Sequence, residues 1–271
     1  MSSKIVWVLN LSPDSFSDGK DYTLNGLGNQ IQKLIDDGVD IIDVGAESTA
    51  PGSSPISTEE ELGRLKNFFA IISYFREKGI VFSLDTKKSK IAQIGIDAGI
   101  KIINDVSGGR YDPYMVDVIA KNRNISYIIM YCKNEYWHAD LEPEKNPWDI
   151  FTTVTHFFDT TLPYMVSRGV HQEQIILDPG MGSFVSTDEN DSIRILYLLP
   201  ELKKRYQLPI LVGTSRKWFL GKISPDKGPN DRIASSLVSS IYALDRWADY
   251  VRVHDVYEMR QAITVWNYLH F

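Results

Sequence analysis

Acidic, amide, hydroxyl and basic side chains follow the ends of short apolar runs throughout the chain. They are Asn10, Glu47 to Thr49, Asp85, Asn104, Asp105, Asp178, Ser215 to Lys217, Arg252 and His254. A single polar residue at a strand end needs no explanation, because loops begin there. A random surface would scatter such residues and would rarely supply so many acids, amides and bases. We therefore expect these side chains to converge on one site.

The acceptor groups among them suit a flat heterocycle. Asp85, Asn104 and Asp178 would be partly buried, and an ionised carboxylate removed from water needs a partner. A guanidine-like edge, as in a 2-amino-4-oxo-pyrimidine, matches a carboxylate through two parallel hydrogen bonds. Lys217 would then reach the ring carbonyl oxygen and an adjacent ring nitrogen. The alternative is that Lys217 simply pairs with one of the carboxylates.

Two basic side chains in the last apolar run, Arg252 and His254, suit phosphate binding. Arg252 and His254 are two positions apart on one strand, so both side chains face the same side. Together they could bind a phosphate. Alternatively, Arg252 fills the interior and pairs with Asp85. The amide oxygen of Asn10 suits Mg²⁺, which keeps most of its waters and leans on ligand phosphates. The sequence has no His/Cys cluster for zinc, no G-x-S-x-G and no P-loop, which excludes several enzyme classes.

Eight β-branched apolar runs would position these side chains. They are residues 4–10, 40–49, 80–86, 101–109, 126–133, 174–182, 209–217 and 250–256. Segments with helical spacing separate them. In residues 26–38, Ile31, Leu34 and Ile35 share one face. A helix after residue 56 has Ser57 or Thr58 as its N-cap and a glycine stop after Lys78.

Apolar strands that alternate with amphipathic helices indicate a parallel sheet covered by helices. Eight such units predict an α/β fold, a single (β/α)₈ TIM barrel that forms one domain over residues 1–271. Active sites of this fold lie at the carboxyl ends of the strands, where the polar residues stand. An open doubly wound sheet is the alternative. A G-x-G-x-x-G turn after an early strand would favour it, and the chain has none there.

Composition limits the function classes further. The chain has 271 residues, 43% of them hydrophobic, and a net charge of −6. An acidic chain is a poor nucleic-acid binder, so any anion site must be a local cluster. A lone cysteine, Cys132, rules out an intramolecular disulfide and suits the cytosol. With no signal-peptide pattern and no apolar run near ~20 residues, a soluble cytoplasmic protein without membrane contact is expected.

Taken together, the motifs resemble those of the dihydropteroate synthases. The resemblance rests on "VLNLSPDSFSDG", "DIIDVGAEST", "SLDT", "INDVSGG", "DPGMG", "LVGTSRKWF", "DRIASS" and "VRVHDV". They occur in the family's order and cover essentially the whole chain. The resemblance implies a TIM barrel that joins 6-hydroxymethyl-7,8-dihydropterin pyrophosphate to p-aminobenzoate, yielding dihydropteroate and pyrophosphate. It also implies a homodimer formed through the late helices, and sulfonamides as mimics of p-aminobenzoate, although susceptibility does not follow from these residues.

The resemblance also implies the roles of individual residues. Pterin would be bound by Asp85, Asn104, Asp178, Lys217 and Arg252, and the pyrophosphate by Asn10, Ser48, Thr49, Arg252 and His254. Phe16, Thr49 and Pro51 would contact p-aminobenzoate, and Asn10 would be the protein ligand of Mg²⁺. Catalysis would involve Asp18, Asp85, Lys217, Arg252 and His254. Asp18 would stabilise a pterin methylene cation left when pyrophosphate departs, and the loop that carries it would close as a lid.

Three positions depart from the family pattern. Ala50 stands where arginine is usual, Ser183-Phe184 replace an immediate phenylalanine after "DPGMG", and Met130-Tyr131-Cys132-Lys133 replace Met-His. All three are expected near the second substrate. The alternatives left open are a pterin-binding homologue without synthase activity or with another amine substrate, and a pterin-ring methyl carrier enzyme. "GTSRK" and "VRVHDV" argue against the last.

Overall fold

The computed structural model describes residues 3–11, 23–49, 52–134, 139, 149–225 and 228–270. Eight parallel strands run through these residues. They are β1 (Lys4–Asn10), β2 (Ile41–Gly45), β3 (Val81–Asp85), β4 (Ile102–Asp105), β5 (Ser126–Met130), β6 (Ile175–Asp178), β7 (Leu211–Val212) and β8 (Tyr250–Val253). Their order in the sheet is β6-β5-β4-β3-β2-β1-β8-β7. A parallel bridge between Leu177 and Ile210 joins β6 to the start of β7, so the sheet closes into a barrel.

Helices follow the strands and cover the outside of the barrel. They are α1 (Leu24–Asp36), α2 (Thr58–Glu77), α3 (Ser89–Ala98), α4 (Met115–Lys121), α5 (Ile150–Ser167), α6 (Glu189–Tyr197), α7 (Leu199–Tyr206), α8 (Trp218–Ile223), α9 (Ile233–Asp245) and α10 (Val256–Leu269). This alternation confirms the predicted TIM barrel. Among the described residues, no helix is both long and apolar enough to cross a membrane.

Local sequence signals set several of these boundaries. Ser57 is the N-cap of α2, and its side chain accepts a hydrogen bond from the Glu60 amide. Gly79 ends the same segment with a positive φ of 87°, a conformation that glycine adopts without a steric penalty. In α1, Ile31 and Leu34 are buried and Ile35 is partly buried against the core, as the helical spacing predicts.

The lower half of the barrel interior is filled by one apolar side chain from every strand. These residues are Val6, Ile41, Val81, Ile102, Ile128, Ile176, Leu211 and Tyr250. Interiors of this fold are filled by such layers. Because the layer excludes water from below, polar side chains placed above it are buried on one side and open only toward the carboxyl ends of the strands.

The seventh strand is much shorter than the apolar run 209–217. Only Leu211 and Val212 have strand geometry, and the chain then turns, with the Lys217 amide donating to the Thr214 carbonyl. Ahead of the strand, the Ile210 amide donates to the side chain of Asp249 at 2.8 Å. The polar residues 214–217 thus form a turn above the barrel, which brings Lys217 over the opening.

Candidate active site

Two cavities with shared wall residues lie at the carboxyl ends of the strands. The inner cavity, of about 80 Å³, lies above the apolar layer and is lined by Val8, Thr49, Asp85, Asn104, Val106, Met130, Asp178, Met181, Phe184, Gly213, Ser215, Lys217, Arg252 and His254. The outer cavity, of about 570 Å³, shares several of these residues. Asn10, Glu47, Ser48, Ser183, Arg216 and Trp218 also contribute to it.

The predicted side chains converge here. Asp85, Asn104, Asp178, Lys217 and Arg252 all line the inner cavity. Asn10 and Ser48 line the outer one, and Thr49 and His254 line both. The predicted roles of Phe16, Asp18 and Pro51 fall on residues outside the described part of the chain.

Asp105 does not join this ring, although it stands at a strand end. Its carboxylate is fully buried and accepts hydrogen bonds from Ser107, Gly109 and the hydroxyl of Tyr127, the last at 2.7 Å. It therefore organises the turn after β4. In the sequence, Asn104 and Asp105 are equally polar, and only the alternation of strand side chains decides which one faces the cavity.

Arg252 is held between two carboxylates inside the barrel. Its Nε atom donates to Asp43 Oδ2 at 2.8 Å, and its Nη2 atom donates to Asp85 Oδ2 at 2.9 Å. This pairing with Asp85 is the one predicted from the sequence as the alternative to phosphate binding by Arg252. In this arrangement the guanidinium forms part of the cavity wall and has a fixed orientation.

Asp43 was not identified from the sequence as part of the site. It is fully buried in the centre of β2, and the same Oδ2 atom accepts from Asn104 Nδ2 at 2.8 Å. One carboxylate therefore orients two of the predicted ligand contacts, Asn104 and Arg252. The available signal was an acid in the middle of an apolar five-residue strand, where an unpaired charge would be costly.

The acidic side chains are difficult to ionise. Burial, together with the nearby charge of Asp43, raises the pKa of Asp85 to about 7, although Arg252 acts in the opposite direction. Burial raises the pKa of Asp178 to about 6, against a hydrogen bond from the Gly180 amide. Strongly shifted pKa values in a cleft are typical of functional sites.

Lys217 closes the other side of the inner cavity. Its Nζ atom donates to the Met181 carbonyl at 2.9 Å and lies 4.7 Å from the ring centre of Phe184. Burial lowers its pKa to about 8. Phe184 lines both cavities, so the aromatic side chain that follows "DPGMG" one position late still reaches the site.

His254 lines both cavities. Burial lowers its pKa to about 4, and the neighbouring Arg216 and Arg252 add to the effect. Its Nδ1 atom lies 3.0 Å from Ser215 Oγ, and its backbone carbonyl accepts a hydrogen bond from the Trp7 indole at 3.0 Å. The imidazole can thus supply a hydrogen bond to a ligand.

The altered strand end at residues 130–133 affects the site less than expected. Met130 lines the inner cavity. Tyr131 lines neither cavity, and its ring packs in the core with its centre 5.7 Å from that of Phe157. The other departure, Ala50, lies outside the described residues.

The tight turn beside Asp178 requires glycine. Gly180 has a φ of +73°, and an added Cβ would lie 2.5 Å from the Tyr131 carbonyl oxygen and 2.8 Å from Val185. We expect Gly180→Ala to lower the free energy of unfolding by roughly 2–3 kcal/mol, since strain and a backbone clash combine. Urea unfolding would measure it.

Gly79→Ala is the matched control for this change. Its φ is +87°, but nothing lies within 4 Å of the added Cβ. It should therefore cost only backbone strain, roughly 1 kcal/mol. Equal losses in the two variants would contradict the assigned clash.

The geometry defines a class: a (β/α)₈-barrel enzyme whose acids, amide and lysine surround a small cavity suited to a polar heterocycle. The family described as "Pterin binding enzyme" matches residues 6–254. Dihydropteroate synthase type-3 from Escherichia coli is 36% identical over 265 residues, covering 97% of this chain and 98% of that protein. Dihydropteroate synthase from Synechocystis is 35% identical and covers 96% and 88%.

Solved structures of dihydropteroate synthases are also similar to this chain. Dihydropteroate synthase from Clostridium difficile, crystallised in the presence of pteroic acid, is 36% identical with a TM-score of 0.85, covering 98% of this chain and 96% of that one. The chain therefore belongs to the pterin-binding enzymes and, among them, to the dihydropteroate synthases.

Proposed function

We propose that this protein condenses 6-hydroxymethyl-7,8-dihydropterin pyrophosphate with p-aminobenzoate, giving 7,8-dihydropteroate and pyrophosphate in folate biosynthesis. The observation that carries the proposal is the convergence of Asp85, Asn104, Asp178, Lys217 and Arg252 on one small cavity. Among the structural neighbours, the Xanthomonas albilineans synthase was solved in complex with 7,8-dihydropteroate and with 4-aminobenzoic acid.

The inner cavity would hold the pterin ring. Asp178 would accept from the amino-pyrimidine edge, because a carboxylate matches that pair of N–H donors. Lys217, on the opposite side near Met181, would donate to the ring carbonyl and a ring nitrogen. Asn104 and Asp85 would contact the remaining polar edge, each held in place through the network of Asp43 and Arg252.

The outer cavity would hold the pyrophosphate. Ser48 and Thr49 would donate to it from one side, and His254 and Arg252 from the other. Asn10 lies in the same cavity, and its neutral amide oxygen fits Mg²⁺, which favours oxygen ligands and phosphate partners. When bound there, Mg²⁺ would neutralise charge on the leaving pyrophosphate.

The reaction would exchange a C–O bond for a C–N bond. The electron pair of the C–O bond leaves with pyrophosphate, the amine of p-aminobenzoate attacks the pterin methylene carbon, and the amine then loses a proton. Arg252 would stabilise the leaving charge, since preorganised groups aimed at developing charge contribute strongly to catalysis. Asp18 would stabilise the methylene cation, and Phe16, Thr49 and Pro51 would contact p-aminobenzoate.

The pH dependence of pterin binding should follow the carboxylates and the lysine. Asp178, with a pKa of about 6, accepts N–H donors only when ionised, so affinity should fall as the pH drops below 6. Lys217, with a pKa of about 8, donates fully only when protonated, so affinity should fall above pH 8. Calorimetric titration with a pterin between pH 5 and 9 measures both limbs. A flat profile would contradict these assignments. Asp178→Asn should leave only the acid limb that Asp85, with a pKa of about 7, contributes.

The activity test combines the dihydropterin pyrophosphate, Mg²⁺ and p-aminobenzoate with the protein and measures pyrophosphate and dihydropteroate. Equal amounts of both products are expected. Pterin binding without coupled product would reject the proposal in favour of a pterin-binding homologue without synthase activity. Product formed only with another amine would show an altered second substrate.

Two late helices, α9 and α10, expose apolar surface. We infer a homodimer formed through the late helices, because α9 and α10 leave large apolar side chains exposed: Val238 is 71% exposed, Val265 59% and Leu269 74%. Sedimentation velocity would detect it. A cytoplasmic location accords with a sole cysteine, Cys132, which is buried and cannot form an intramolecular disulfide.

A further inference from the structure

A buried group of four charges lies beside the outer cavity, between the ends of β2 and β3 and the start of α2. Lys87 Nζ lies 2.7 Å from Glu47 Oε1, and Lys88 pairs with Glu47 and, at 2.6 Å, with Glu61. No side chain of this group, here called the Glu47 cluster, is more than 8% exposed. None of the roles assigned above involves Lys87, Lys88 or Glu61.

Glu47 links this cluster to the substrates. It directly precedes Ser48 and Thr49, and all three residues line the outer cavity. Its two carboxylate oxygens, however, face the two lysines. Burial alone would raise the pKa of Glu47, but the ammonium groups of Lys87 and Lys88 lower it. An ionised carboxylate therefore stands in the wall of a cavity that must accept anions, with its charge compensated from behind.

The two lysines are not equivalent. Lys88 is shared with Glu61, which also accepts a hydrogen bond from Thr86 at 2.6 Å. Within the described part of the chain, Lys87 forms its ion pair with Glu47 only, and its ammonium lies 4.8 Å from the ring centre of Tyr111. The cluster is neutral only while Lys87 is present, because Lys88 can compensate one of the two carboxylates.

We propose that Lys87 is a positioning residue that neutralises Glu47 and turns it away from the outer cavity, so that anionic substrates can bind there. The inference rests on the proposed function. Without Lys87, the cluster carries one excess negative charge. Rotation of the Glu47 carboxylate toward the solvent of the cavity would then lower the free energy of the protein. The rotated carboxylate would repel the pyrophosphate that this cavity would hold, and also the carboxylate of p-aminobenzoate, across a partly buried space where charges are weakly screened.

The test is steady-state kinetics of Lys87→Met, which keeps the length of the side chain and removes its charge. We expect the KM for the dihydropterin pyrophosphate to rise roughly tenfold and the KM for p-aminobenzoate to rise less, with kcat within about twofold of the unaltered protein. Added salt should shrink the difference in KM, because it screens the repulsion. A merely structural role would lower the melting temperature without a salt-dependent KM.

A second substitution separates charge from packing. Lys87→Met combined with Glu47→Gln leaves one lysine and one glutamate in the cluster, so the KM should return toward that of the unaltered protein. Lys90→Met, at an exposed lysine three residues further on, should leave the KM unchanged. If Lys87→Met does not fold, Lys87→Gln carries the same comparison.

The outcomes are distinct. An unaltered KM in the Lys87 variant, or no recovery in the double variant, overturns the role of Lys87 alone. Absence of dihydropteroate with the unaltered protein overturns the proposed function, whatever the variants do.

Discussion

Lys217→Met should lower the affinity for the pterin ring at least 100-fold. The ammonium of Lys217 is held over the inner cavity by the Met181 carbonyl and the ring of Phe184. Its removal would leave two acceptors of the bound pterin without a donor, and hydrogen bonds to charged groups contribute about 1.5–3 kcal/mol each. Two such losses correspond to a factor of 100 or more. Calorimetric titration with a pterin measures the change directly.

Lys222→Met is the matched control, because Lys222 is an exposed lysine five residues further on, in α8. It should bind the pterin as tightly as the unaltered protein. Binding by Lys217→Met within threefold of the unaltered protein would show that this lysine does not contact the ring.

Asp43→Ala should destabilise the fold by about 3 kcal/mol and also weaken pterin binding. Breaking a buried ion pair by removing one partner typically costs about 3–5 kcal/mol, because the other charge is left buried. Here Arg252 keeps Asp85 as a partner, so the lower end is expected. Asn104 loses its acceptor as well, and two pterin contacts lose their fixed orientation. Urea unfolding and pterin titration measure the two effects.

Asp117→Ala provides the comparison for a lost ion pair alone. Asp117 pairs with Arg168 at 2.6 Å, but the two side chains are 35% and 40% exposed. Such exposed pairs contribute roughly 0–1 kcal/mol. If Asp43→Ala cost no more than Asp117→Ala, the network around Arg252 would not be what orders the inner cavity.

The charge balance explains why this network matters for ligand binding. Asp43 and Asp85 share one guanidinium, so the group has one carboxylate more than Arg252 can compensate. Burial, together with the charge of Asp43, raises the pKa of Asp85 to about 7. Two N–H donors on a bound heterocycle would relieve this imbalance. The uncompensated carboxylate charge in the site therefore favours the binding of a ligand that supplies hydrogen-bond donors.

Much of this architecture was readable in the sequence because it depends on local patterns. The apolar run 4–10 became β1 with the same limits, Ser57 capped α2, and the residues that end the strands met at one opening. Strand ends are local features, and a barrel places every parallel strand end on the same side. The identity of the residues at that opening therefore predicted the ligand chemistry.

Other features depended on contacts between distant segments. Asp43 and Arg252 are separated by 209 positions, and nothing near Asp43 in the sequence names its partner. Lys87 and Glu47 are likewise brought together by adjacent strand ends. The short β7 reflects the turn at residues 214–217, where the Lys217 amide donates to the Thr214 carbonyl, and hydrophobic periodicity does not reveal this turn.

By itself, the sequence determined the fold class, the approximate strand ends and most of the side chains that face the opening, because hydrophobic periodicity and chain order suffice for these. Only the tertiary structure decided which acid pairs with which base, how deeply each is buried and therefore which of them are ionised. The physical reason is that pairing and desolvation depend on distances through space, whereas periodicity reports only on the side of an element that a residue occupies.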